Sequence, residues 1–462
     1  MSGKLFRLEK ILTALSKSGT PFRQITPAQV LVVGFAGIIL IGTLLLSLPV
    51  ASSSAMPTGF VDAFFTATSA VCVTGLVAVD TGTYWSLFGQ LVILSLIQIG
   101  GLGFMALSTM VALFFGRKIG LRSRILIQES LGQLSLEGMV RLILAVLAVT
   151  LFFEGIGCAI LGTYFSREFG LAKGMYYGLF HSISAFCNAG FDLFGGFKNL
   201  TDYAASPLVL ITISLLLIFG GLGFSVIMDL FHLRRHRHLS LHSRLVLIIT
   251  SILLIVGTGV FLLLEHNNPH TLGPKSFGEK LLNAWFGAAS PRTAGFNTVA
   301  LGQLRQATLF FVIILMFIGA SPGSTGGGIK TTTFGIAVTS LWGLITGKDS
   351  LVVFKRTLPI IDSIKAFCVI FAALILITAV TFILTLTENA GFLPLLFEVT
   401  SAFGTVGLTT GITTSLSSVG KLILACTMFA GRLGPLTLAT ALSIRHRGPE
   451  AVHYPEERVG IG

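Results

Sequence analysis

Charge is scarce in this chain. Of its 462 residues only 11% are Asp, Glu, Lys or Arg, against roughly 25% in a soluble globular domain. With 53% hydrophobic residues and a mean hydropathy of +0.89, that is too little charge to cover a water-soluble protein of this length. Paired cysteines are missing too. Cys72, Cys158, Cys187, Cys368 and Cys426 form no CxxC and lie in apolar or glycine-turn segments, which argues against a disulfide framework or a zinc site. HExxH does not occur, and few polar groups stand at membrane depth to supply a nucleophile, base or metal ligand together; no enzyme is expected. Gly323 to Lys330 misses the phosphate-loop pattern because Ile329 separates Gly328 from Lys330, and Gly155 to Gly162 misses GxGxxG. Residues 1–28 are polar and basic, without a cleavable signal, and read as an amphipathic surface helix.

What is present is a set of long apolar runs, among them Val30 to Leu48, Leu142 to Phe153, Leu208 to Phe219, Leu245 to Leu264 and Phe367 to Leu386. Such runs read as transmembrane helices. The net charge of +12 is not spread as a nucleic-acid footprint. It sits in short clusters between apolar blocks: Lys4/Arg7/Lys10/Lys17/Arg23, Arg117/Lys118/Arg122/Arg124, Arg234/Arg235/Arg237/Arg244, Lys348/Lys355/Arg356/Lys365 and Arg445/Arg447. The positive-inside pattern places these linkers and both termini in the cytoplasm of a multi-pass protein, with the lipid bilayer and no nucleic acid as partner. His232, His236, His238 and His242 lie among arginines, where local positive charge opposes metal binding, so they read as a solvated linker.

A repeat organises the chain. Ser69-Ala-Val-Cys-Val-Thr-Gly75-Leu76, Ser184-Ala-Phe-Cys-Asn-Ala-Gly190-Phe191, Ala289-Ser-Pro-Arg-Thr-Ala-Gly295-Phe296 and Ser401-Ala-Phe-Gly-Thr-Val-Gly407-Leu408 recur about every 110 residues, and a fixed period marks a repeat architecture. Each follows a long apolar run and a shorter stretch: Phe60 to Thr68, Met175 to Ile183, Lys280 to Ala288 and Leu393 to Thr400. At about ten residues these stretches are too short to cross a bilayer and read as re-entrant pore helices. A second apolar segment follows, carrying Gly100-Gly-Leu-Gly-Phe104, Gly220-Gly-Leu-Gly-Phe224, Gly319-Ala-Ser-Pro-Gly323 or Gly431-Arg-Leu-Gly-Pro435. These inner glycines suit close helix packing or a bend. The expected fold is an all-α membrane protein: four helix–pore-loop–helix repeats, eight spanning and four pore helices, around one pseudo-four-fold pore. The expected units are 27–116, 138–232, 244–347 and 363–446, flanked by a cytoplasmic segment 1–26 and a tail 447–462.

Irregular backbone at membrane depth survives only where protein or a water-filled cavity satisfies it. Four re-entrant turns meeting on an axis do this jointly, and their carbonyls can replace an ion's hydration shell. The pore helices aim their negative ends at that axis, which favours a cation. The expected ion-lining residues are Val71, Cys72, Val73, Thr74 and Gly75; Phe186, Cys187, Asn188, Ala189 and Gly190; Pro291, Arg292, Thr293, Ala294 and Gly295; and Phe403, Gly404, Thr405, Val406 and Gly407. Coordination by backbone tolerates these differing side chains. Asp80 and Asp192 either draw cations to the outer mouth or are ordinary solvated loop residues.

The third repeat departs from the others. From Gln306 to Ile345 it is too long for one span of roughly 20 residues, and Gly319, Ala320, Ser321, Pro322, Gly323, Ser324, Thr325, Gly326, Gly327, Gly328 and Lys330 interrupt it with residues that disfavour helix. An intramembrane loop below the turns is expected, obstructing the pore or merely breaking helix packing. Arg432, flanked by apolar residues in the fourth repeat, stands at the offset of Ala320. A charge there is costly and faces a cavity or a partner; it either hangs into the pore near the loop or bonds helix-end carbonyls. Glu154 reads as structural.

The four turns, their glycines and the Gly-Ser-Thr-Gly-Gly-Gly-Ile-Lys run from Gly323 together resemble the Trk/Ktr/HKT superfamily of potassium transporters over nearly the whole chain. Within it the KtrB-type membrane subunit is the nearer match, because the first repeat begins near Thr26 without the extra helix pair of the TrkH type. The resemblance implies potassium uptake across a bacterial plasma membrane, often sodium-stimulated, with Gly319–Gly328 and Arg432 as the gate. It also implies a homodimer with one pore per subunit, docked on a cytoplasmic ring of RCK-type, KtrA-like nucleotide-binding subunits. A sodium-coupled secondary transporter of another small cation is the alternative; it would use broken helices at a midplane site and show a two-fold or inverted repeat.

Overall fold

The computed structural model describes residues 27–103, 139–236, 238–347 and 352–435, with 437 and 441 beyond them. The segment 1–26, the first basic linker, the end of the expected first unit and the tail 447–462 lie outside the described residues. Helices follow one order four times: a long helix, a short helix, a glycine turn and a second helix. The first set is α1 (Pro27–Ser47), α2 (Phe60–Val71) and α3 (Leu87–Leu102). The second is α4 (Met139–Phe169), α5 (Leu171–Phe186), then α6 (Pro207–Leu222) and α7 (Phe224–His236). The third is α8 (Leu241–Glu265), α9 (Phe277–Ala289), then α10 (Gln306–Phe317) and α11 (Thr331–Ile345). The fourth is α12 (Ile360–Thr387), α13 (Phe392–Gly404) and α14 (Ser418–Leu433).

Among the described residues four helices are long and apolar enough to cross a bilayer: Ala28–Ser47, Ile143–Phe169, Leu241–Glu265 and Ile360–Thr387. The pair Pro207–Leu222 and Phe224–Leu233, bent by 101°, makes a fifth when counted as one span. This is a multi-pass helical membrane protein. Their outer faces are apolar and exposed, Ile255, Phe371 and Leu386 for example, as a lipid-facing surface requires.

Local chemistry sets the ends. Ser86, Ser240, Ser276 and Ser417 each accept an amide hydrogen bond at a helix start, satisfying a donor that has no intrahelical partner. Three of the second helices stop at glycines: Gly103, Gly223 and Gly434 take φ of +80°, +94° and +84°, a region closed to most side chains, and at Gly223 the chain turns into α7.

Three expectations change. The short helices reach further than composition suggests: Val71, Phe186, Ala289 and Gly404 are their last residues, because their polar and small ends are buried against protein and not exposed to lipid. The expected run Leu142 to Phe153 is part of the 31-residue α4; Glu154 and the glycines beyond it interrupt hydropathy but not the helix, since Gly157 and Gly162 face α5 at Ser182 and Met175. The fold is also not purely helical. Val352–Val353 pairs antiparallel with Arg356–Thr357, and Phe354 and Lys355 both take positive φ, the backbone of a tight two-residue hairpin turn.

Candidate ion pathway

The four glycine turns meet. A Cβ placed on Gly75 would lie 3.2 Å from Gly190 Cα, one on Gly190 2.8 Å from Gly295 Cα, one on Gly295 3.3 Å from Gly407 Cα, and one on Gly407 2.9 Å from Gly75 Cα. The contacts close a ring in chain order, so the first turn lies across from the third and the second across from the fourth. All four glycines have positive φ, between 69° and 92°. So do Val73, Asn188, Thr293 and Thr405, two residues earlier in each turn, where a side chain is normally disfavoured. That non-glycine strain, repeated four times, marks a backbone held by its surroundings.

Serines hold it. Ser69 and Ser401 accept from the amides of Gly75 and Gly407 at 3.0 and 3.1 Å. Ser184 donates to Phe191 O at 2.8 Å and Ser290 to Phe296 O. All four serines stand in the repeated segments, yet nothing in the sequence distinguishes a pinning serine from a packing one. Behind the turns the inner glycines allow close approach: a Cβ on Gly100, Gly220 or Gly431 would overlap the carbonyl oxygen of Val71, Phe186 or Phe403. The side chain of Arg292 points away from the ring to Thr250 on α8, at 3.3 Å, so only its backbone shares the turn. Glu154 is buried between α3 and α5, 3.3 Å from Gln98 Nε2 and 3.8 Å from Cys187 Sγ.

Residues 318–330 separate α10 from α11 and sit against the inner side of the ring. Gly326, Gly327 and Gly328 pack on Thr293, Thr405 and Gly404. Ser321 N–H donates to Gly221 O, Thr325 N–H to Gly220 O, and Gly327 N–H to Thr405 Oγ1. Lys330 Nζ turns back to Gly326 O at 2.8 Å. Arg432 is inserted between elements, donating to Thr325 O in the loop and to Gly100 O at the end of α3.

On the opposite side of the ring Asp80 and Asp192 are half-buried parts of a built mouth. Asp80 caps the helical turn Thr81–Tyr84 and accepts from Phe197 N–H at 2.7 Å. Asp192 accepts from Phe194 N–H and from Asn199 Nδ2, and Asn199 also reaches Gly190 O at 3.4 Å. Burial, reinforced by the nearby Asp80 carboxylate, outweighs these hydrogen bonds and raises the Asp192 carboxyl to about 7.

A family model described as cation transport protein, TrkH, matches residues 5–454. The chain belongs to this TrkH cation transport family. Its relatives in the family include the Ktr system potassium uptake protein B of Bacillus subtilis, 43% identical over 95% of this chain and 97% of that protein. The Vibrio alginolyticus protein of the same name is 44% identical over 94% of each. The potassium/sodium uptake protein NtpJ of Enterococcus hirae is 39% identical over 95% of this chain and 98% of that one. The crystal structure of the potassium transporter TrkH from Vibrio parahaemolyticus superposes with a TM-score of 0.69 at 18% identity, covering 93% of this chain and 88% of that one; the TrkH fold is shared.

Proposed function

We propose that this chain is the membrane subunit of a potassium uptake system, conducting K+ through the ring of four glycine turns. The carrying observation is the closed contact of Gly75, Gly190, Gly295 and Gly407, which supports reading the four turns as one carbonyl-lined site of the kind that coordinates a dehydrated ion. Each set of helices is then one repeat of an eight-span fold, with α2, α5, α9 and α13 as pore helices. The 319–328 loop with Arg432 is the gate on the inner side. The names of the Bacillus and Vibrio relatives support potassium as cargo and a system with further components, for which a second copy of this chain and a cytoplasmic RCK-type ring are the expected partners in a bacterial plasma membrane with both chain ends inside. The name of the Enterococcus relative adds sodium, so sodium-coupled flux is the second reading.

Rubidium uptake into vesicles holding the full chain tests this, with and without sodium and the partner ring. Saturable Rb+ entry preferred over Na+ is expected; entry strictly proportional to sodium would favour coupled transport, and no Rb+ entry would sink the reading.

The outer mouth adds a pH dependence. With the Asp192 carboxyl raised to about 7, its negative charge is present at an external pH of about 8 and largely lost at about 6, because a raised carboxyl is neutral below its own pKa. Uptake from dilute Rb+ is expected to rise across that interval, and Asp192→Asn to flatten the rise. An unchanged profile in that variant would remove Asp192 from the pathway.

A further inference from the structure

Two buried side chains outside the glycine turns occupy the same register in different repeats. His181 on α5 and Glu398 on α13 each stand nine positions before their glycine (181 and 190, 398 and 407), and both are fully buried. Each accepts from the amide three positions past that glycine: Leu193 N–H to His181 Nε2 at 3.3 Å, and Thr410 N–H to Glu398 Oε1 at 3.1 Å. His181 Nδ1 faces Tyr177 O at 2.7 Å, so it donates there and Nε2 is left to accept. Glu398 takes two further hydrogen bonds, from Thr409 Oγ1 at 2.5 Å and Thr413 Oγ1 at 2.8 Å.

The same register in the other repeats carries no such bond to the turn. Thr66 spends its hydroxyl on Asp62 O of its own helix, at 2.8 Å, and Phe286 has no polar side-chain atom. Because the ring runs 75, 190, 295, 407, the second and fourth turns face each other. At the third residue past the glycine, one diagonal of the mouth is therefore tied to its pore helices by a side chain and the other is not; the serine bonds nearer the glycines are common to all four turns. A buried amide leaving an irregular turn has no ladder to satisfy it, and an unpaired one is costly. A helix-borne acceptor satisfies it and at the same time fixes the turn's distance from its helix.

We infer that His181 and Glu398 are positioning residues that tie the outer ends of the second and fourth turns to their pore helices, setting the ring's width along one diagonal and with it the preference for K+ over the smaller Na+. Neither touches the ion: Glu398 is fully covered and its oxygens are occupied by Thr409, Thr410 and Thr413. The inference rests on the glycine ring being the ion filter, and the unaltered protein distinguishes the two claims. If it fails to take up Rb+, the filter reading fails.

If it does take up Rb+, three variants decide. His181→Phe keeps a ring against Phe194, which stacks at 4.3 Å, and removes the acceptor. Glu398→Leu removes the second acceptor, while Glu398→Gln keeps an oxygen for Thr410 and removes the charge. Rb+ uptake with Na+ competition is expected to show the Rb+/Na+ preference falling about three- to tenfold in H181F and E398L, the scale of one lost hydrogen bond, with E398Q near the unaltered value. Preference unchanged in H181F protein that elutes and melts normally would overturn the inference. So would a lower maximal rate at constant preference, or a loss in E398Q as large as in E398L. Should E398L fail to reach the membrane, H181F alone decides.

Discussion

Gly295→Ser is expected to cut the K+/Na+ preference at least tenfold while leaving the protein in the membrane. The new Cβ would lie 2.5 Å from Val406 O and 3.3 Å from Gly407 Cα, and φ at this position is +76°. A non-glycine residue held in the left-handed region costs about 1–2 kcal/mol, and relief comes by pushing the neighbouring turn outward. That moves the Val406 carbonyl, one of the proposed ion ligands. A change of about 1.4 kcal/mol between two ions is already a factor of ten, so a small displacement suffices. Gly75→Ser meets Gly190 Cα at 3.2 Å with φ of +92° and is expected to act in the same direction. Gly37 is the control: a Cβ there has no atom within 4 Å, and Gly37→Ala is expected to leave uptake and preference unchanged. Competition of Na+ against Rb+ in vesicles reads all three; a Gly295→Ser protein with intact preference would contradict the filter placement.

Much of this site is visible in the sequence because its signals are local. Glycine is needed wherever φ is positive and a neighbouring chain lies close, and that need recurs at 75, 190, 295 and 407. The break between α10 and α11 is likewise written in Pro322 and the glycines around it, which no helix accommodates cheaply. What stays hidden depends on contacts distant in sequence. Val73, Asn188, Thr293 and Thr405 share a left-handed backbone but no side-chain type, because the surrounding ring imposes the conformation. His181 and Glu398 differ in residue type, and their shared register shows only once Leu193 and Thr410 are seen folding back. Glu154 shortens the apparent apolar run of α4, since hydropathy treats a carboxylate facing Gln98 and Cys187 as if it faced lipid. Asp80 and Asp192 are not ordinary solvated loop residues, being half-buried and bonded to Phe197, Phe194 and Asn199.

Arg432→Ala is expected to raise basal Rb+ flux about tenfold or more and to weaken control by a partner ring. The guanidinium joins Thr325 O in the 318–330 loop to Gly100 O at the end of α3, so it pins the loop beneath the ring from two sides. Hydrogen bonds from a charged group contribute about 1.5–3 kcal/mol, enough to move a closed–open equilibrium by one to two orders of magnitude. The other ties to neighbouring elements, Ser321 with Gly221, Thr325 with Gly220 and Phe186, Gly323 with Phe224 and Gly327 with Thr405, are neutral and individually weaker, so the loop without Arg432 is held less firmly. The variant also removes a positive charge from the proposed path of the cation, and the two effects separate experimentally. Arg432→Gln discards the charge but retains donors for one of the carbonyls; if repulsion dominates it matches alanine, and if pinning dominates it lies between alanine and arginine. Deleting 319–328 takes the obstruction away altogether. Ile318 and Ile329 already pair in parallel, which leaves the two helix ends close enough to rejoin, and flux is expected to exceed that of Arg432→Ala. Flux unchanged in both the deletion and Arg432→Ala would show that the loop does not limit conduction, whatever its position below the glycines.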